Sequence, residues 1–141
     1  MRNNSLLALV LLVVATGVAR ADGVTVSDAW IRALPPSVPS GGYFTLHNGT
    51  AKPVTLVTAQ SPACGMLMLH KSNSMTGMSS MDDVREVIVP AGGTVKFAPG
   101  GYHLMCMEAT AKPGQKIPVT LNFRGGTKVT ATFAVRNAAG K

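Results

Sequence analysis

The stretch that most restricts the fold lies near the C-terminus. Ile117, Val119, Leu121 and Phe123 alternate there with Pro118, Thr120 and Asn122; beyond Gly125-Gly126, Val129, Ala131, Phe133 and Val135 alternate with Thr130, Thr132 and Ala134. Successive side chains of an extended chain point to opposite faces, so each run has one apolar face, the mark of a half-buried strand rather than a helical stripe. The glycine pair between them closes a hairpin. No stretch keeps helical periodicity with caps, and Gly and Pro punctuate the chain at short intervals. The expected architecture is all-β, a sandwich or barrel of many short strands.

Val24 to Arg32 reads as the first strand, ended by Pro35-Pro36 and Pro39, which can neither pair in a central strand nor continue a helix. Tyr43 to His47 and Val54 to Ala59 follow, and Asn48-Gly49-Thr50 between them predicts a hairpin turn. Cys64 to His70, Val84 to Val89, Thr94 to Phe97 and a strand from Tyr102 complete the series. Small polar residues fill Ser72 to Met81, which reads as a loop with no face of its own to bury.

At the other end, Arg2 precedes an apolar run from Leu6 to Val14 and then Ala19-Arg20-Ala21, a small-x-small cleavage signal. The run is too short to span a bilayer, so residues 1–21 read as a secretory signal peptide and 22–141 as one exported domain. Asp22, not cysteine, follows the cleavage site, so no lipid attachment is expected there, and no later apolar stretch is long enough for a membrane helix. The chain is expected to be exported. Thirteen basic residues against six acidic ones give a net charge of +7. They are scattered, and with 5% aromatic residues and no basic run nothing points to nucleic-acid binding; the charge can steer the chain to an acidic partner. No nucleophile elbow, His-Glu-x-x-His or phosphate loop is present, so no enzyme is expected.

The chemistry concentrates in two segments. In the strand from Tyr102, His103, Met105 and Met107 share one face while Leu104 and Cys106 share the other; earlier, Met66, Met68 and His70 alternate with Leu67 and Leu69. A single methionine is ordinarily a flexible core filler, and a lone histidine such as His47 is ordinarily a hydrogen-bonded surface residue. Core fillers would be spread among all the strands, yet every methionine beyond the leader lies between Met66 and Met107. Imidazole nitrogen with thioether sulfur is a soft donor set that selects copper(I), and two histidines with two methionines would complete its shell. An electron-transfer copper site would need a cysteine thiolate, but alternation turns Cys106 away from His103 and Met105. Cys64 and Cys106, in a chain bound for an oxidising compartment, are expected to form a structural disulfide. Cys64 has the parity of Met66 and His70, so the bridge calls for a bulge at Gly65.

The spacing His70, ten residues, Met81, twenty-one residues, His103-Leu104-Met105 resembles that of the periplasmic copper chaperones for the copper-A centre of cytochrome c oxidase, the PCu(A)C type. Val89-Pro90-Ala91-Gly92-Gly93 and Pro99 to Met105 resemble that family too, over nearly the whole mature chain. The resemblance implies a cupredoxin-like Greek-key β-sandwich or barrel that binds copper(I) through His70, Met81, His103 and Met105. It implies delivery to the copper-A domain of oxidase subunit II, with exchange among other periplasmic copper carriers. Storage or resistance would require the same site. Met68, Met78 and Met107 are candidates to stand behind the ligands or exchange with them, and Lys71, where some members carry methionine, places a cation near the site.

Overall fold

The computed structural model describes residues 17–75 and 78–141, so most of the predicted leader, 1–16, lies outside the described residues, as do the side chains of residues 74–79. The described residues form strands β1 (Ala19–Ala21), β2 (Val24–Arg32), β3 (Ser40–Asn48), β4 (Val54–Gln60), β5 (Met66–Met75), β6 (Met78–Asp83), β7 (Val87–Val89), β8 (Thr94–Phe97), β9 (Tyr102–Met107), β10 (Lys116–Phe123) and β11 (Lys128–Arg136). They make one strongly curled sheet in the order β6-β5-β9-β3-β2-β11-β10-β4-β7, with β1 on β2 and β8 on β3. Pairing is antiparallel except between β11 and β2, which run parallel. The all-β expectation holds.

The alternation that marks the strands also builds the core. Phe44 and Leu46 of β3, Val119 and Leu121 of β10, and Val129 and Phe133 of β11 all point inward and are buried. Phe44 stacks on Phe97 at 4.3 Å between centroids and meets Phe133 at 5.8 Å. Gly125 and Gly126, at φ of 91° and 97°, close the β10–β11 hairpin in a region that side chains rarely tolerate. Pro118 is accommodated because β4 pairs with β10 only from Thr120 onward, so its missing N–H deprives no neighbour.

One irregularity shapes the outer surface. In β2 the register against β3 slips between Ser27 and Trp30, with Asp28 at φ 52°. This bulge reverses the alternation: Val24 and Val26 are buried before it and Ile31 after it, which leaves Trp30 and Arg32 on the outer face.

Two expectations from the sequence are corrected. Asn48-Gly49 does not close a hairpin, because β3 and β4 are not neighbours: β4 pairs with β10 and β7. Asn48 is instead a buried corner whose amide donates to the carbonyls of Lys52, Val89 and Pro90 while its own oxygen accepts from Thr50. Neither Asn48 nor Gly49 takes the positive φ that a two-residue hairpin of this type requires. The second correction concerns Ser72 to Met81, expected as a loop: its described residues 72–75 and 78–81 lie in strands, and β5 and β6 pair in register from His70–Asp83 to Met75–Met78. Small polar residues suffice because strand pairing satisfies the backbone.

Candidate metal centre

The register of three adjacent strands assembles the outer face. Met66 stands opposite Met107, Met68 opposite Met105 and His70 opposite His103 across β5 and β9. On the other side of β5, Met81 pairs with Ser72 and Asp83 with His70. In β3, Gly41 pairs with Met105, and Tyr43 brings its ring to 6.5 Å from that of His103. Trp30, turned outward by the bulge, packs on Tyr43 at 4.7 Å. A row of side chains thus crosses the sheet from Asp83 through His70, His103 and Tyr43 to Trp30.

Met81, His103 and Met105 line one cavity of about 320 Å³, walled also by Tyr43, Gly41 and Arg32. His70 lies behind this lining, its ring edge-on to that of His103 at 5.8 Å. The four residues expected from the spacing therefore fall on one face, three around a cavity and the fourth beside its histidine. His103 is buried while Met81 is 60% exposed, so the cluster has a closed side and an open one.

The imidazole of His103 is set up to give a lone pair. Nδ1 of His103 lies 3.1 Å from the Gly101 carbonyl; a carbonyl only accepts, so Nδ1 carries the proton and Nε2 the lone pair. That Nε2 is buried with no hydrogen-bond partner. Orphaned buried nitrogens of this kind are uncommon unless something else binds them. Nε2 of His70 stands 2.9 Å from Oδ1 of Asp83, within ion-pair reach though off the line of a hydrogen bond, and its Nδ1 is also buried without a partner. Among the described residues no three His, Cys, Asp or Glu side chains converge as a metal site. What converges is imidazole with thioether, a donor set suited to a soft monovalent ion.

Met68 and Met107 lie on the same face as the cluster, whereas the side chain of Met78 is outside the described residues. Lys71 corrects an expectation: it extends to the opposite face, its Nζ 5.0 Å from the centre of the Tyr102 ring. Cys64 and Cys106 are joined, with Cα atoms 5.4 Å apart. No bulge within a strand is needed, because β5 starts only at Met66; Cys64 sits in the preceding turn, its N–H donating to Ser61, and Gly65 donates to Met107.

Sequence reasoning did not find Tyr43, Gly41, Arg32 or Asp83. Asp83 shares the parity of Met81 and follows it by two, a signal that was there to be read. Arg32 was hidden by the bulge, which no alternation pattern announces.

The curled all-β fold is that of PCuAC domains. The apo PCuAC domain of PmoF2 superposes with a TM-score of 0.68 at 20% identity, covering 86% of this chain and 95% of that one. The solution structure of copper(I)-DR1885 from Deinococcus radiodurans superposes with a TM-score of 0.63 at 31% identity, covering 77% of this chain and 74% of that one. The chain belongs to the LpqE-like family, described as "Putative lipoprotein LpqE-like", whose profile matches residues 24–135. It is 36% identical over 126 residues to "Putative lipoprotein Lxx21020" of Leifsonia xyli subsp. xyli, covering 86% of this chain and 74% of that protein.

Proposed function

We propose that this chain is a periplasmic copper(I) metallochaperone that takes the ion through His70, Met81, His103 and Met105 and delivers it to the copper-A site of cytochrome c oxidase. The observation that carries the reading is the buried, unpartnered Nε2 of His103, in a side chain that lines one cavity with two thioethers. The 31% identity to a protein solved in its copper(I) form supports it. Relatives named as lipoproteins support a place in the cell envelope, in keeping with the leader-like sequence at residues 1–21.

Copper is cargo here. Neutral thioethers stabilise copper(I) over copper(II) yet bind it less strongly than thiolates do, so an acceptor with reduced cysteines draws the ion off in one direction. Met81, on the exposed side of the cavity, is the ligand an incoming donor can replace first.

The test mixes the copper(I)-loaded chain with the metal-free, reduced copper-A domain and separates the two on a column. Copper is expected with the acceptor. If it stays with this chain, and if deleting the gene in copper-poor medium leaves oxidase activity intact, storage replaces delivery as the function.

A further inference from the structure

The methionines on the solvent side of β5 and β9 are more numerous than one site needs. Met66 and Met107 are direct cross-strand partners, as are Met68 and Met105. Core packing does not account for Met66, which is 57% exposed, and Met68 and Met107 are half-buried on the same outer face, while the core positions of these strands are held by Leu69, Leu104 and Cys106. Side chains directly opposite on antiparallel strands have Cβ atoms about 5 Å apart, and residues two apart on one strand are separated by about 6.8 Å. Unbranched thioether side chains with three rotatable bonds bridge such gaps to a common point.

We propose that Met66, Met68 and Met107 form a second, all-thioether site for a soft monovalent ion, copper(I) or silver(I), joined to the first through Met105. The proposal shares the soft-metal reading of this face but does not depend on the histidine ligands. Three neutral sulfurs hold such an ion more weakly than a set that includes imidazole, so the site fills second. Met105 is the partner of Met68 and lies two residues from His103 on the same face. An ion therefore moves between the sites by exchanging one dative bond at a time, sulfur for sulfur and then nitrogen for sulfur, with no change of oxidation state.

The test titrates the protein, its disulfide intact and its methionine methyls labelled with carbon-13, with silver(I) as a redox-inert probe, and repeats the titration with copper(I). Two equivalents are expected, the first moving the Met81 and Met105 methyl signals and the second those of Met66, Met68 and Met107. Replacing the three by leucine together (Met66→Leu, Met68→Leu, Met107→Leu) should abolish the second equivalent and keep the first. His103→Ala should weaken the tight equivalent and leave the thioether one. Met66→Leu alone, at an exposed position where folding is not at stake, should weaken the second equivalent. Saturation of the wild type at one equivalent, or survival of the second in the triple variant, overturns the proposal; loss of the tight equivalent alone would count against the histidine site and not against this one.

Discussion

His70 and His103 are direct partners on adjacent strands, their rings edge-on at 5.8 Å, and among the described residues only His70 of the two has a carboxylate, that of Asp83, against it. Carboxylates that hold a ligating histidine are worth about 10–100-fold in metal affinity. Asp83 is within ion-pair reach of His70 but off a hydrogen-bond line and largely exposed, so Asp83→Ala is expected to weaken copper(I) binding by less than that range in a chelator competition, and His103→Ala to weaken it more. Because Asp83 acts through His70, its substitution should cost nothing further in a His70→Ala background. An undiminished effect in the double variant would separate Asp83 from the site.

Gly41 leaves the space that Tyr43 occupies. A Cβ at Gly41 would stand 2.5 Å from the Tyr43 hydroxyl oxygen, the far end of a side chain that can swing away. Gly41→Ala is expected to keep stability within about 1 kcal/mol while displacing the ring from beside His103. Copper(I) loss to a competing chelator, followed by stopped flow, should then accelerate. Tyr43→Phe, which keeps the ring, should leave that rate unchanged.

The Cys64–Cys106 bridge closes a sequence separation of 42 residues. Loop-closure entropy for a ring of that size corresponds to about 4 kcal/mol. Reduction, or Cys64→Ser with Cys106→Ser, should lower the denaturation free energy by about 2–5 kcal/mol. In the double serine variant, which releases no thiol, copper(I) affinity should fall as well, because Cys106 sits between Met105 and Met107.

Asn48 joins the end of β3 to the carbonyl of Lys52 in the turn that follows and to those of Val89 and Pro90 at the end of β7. Asn48→Ala leaves buried acceptors unpaired and should destabilise the fold by about 1–3 kcal/mol in chemical denaturation, without changing the number of copper ions bound.

Much of this was legible because strands with one wet face repeat every second residue. That period exposed β10, β11 and the shared face of His103 and Met105, and the His70–Met81–His103–Met105 spacing drew the site together. Where side chains had no apolar face to declare, as from Ser72 to Met81, the segment read as a loop, and only backbone pairing placed β5 beside β6. Asn48-Gly49 misled because the dipeptide favours a turn without fixing which strands the turn joins. Trp30 and Arg32 could not be placed at all, since one extra residue at Asp28 changes which surface they reach and leaves no mark in composition.

All four residues proposed as ligands fall between Cys64 and Cys106, so the bridge makes the whole set part of a single covalent lasso. An unfolded chain that keeps the bridge still tethers His70, Met81, His103 and Met105 to one another, and tethered donors face an ion at high effective concentration. Copper(I) then binds the oxidised unfolded chain appreciably, which narrows the gain in folding stability that copper gives the native state. With the bridge reduced, unfolding exposes two thiols, and thiolates hold copper(I) more tightly than thioethers, so that gain narrows further. The thermal shift produced by copper should accordingly be smaller for the reduced protein than for the oxidised one.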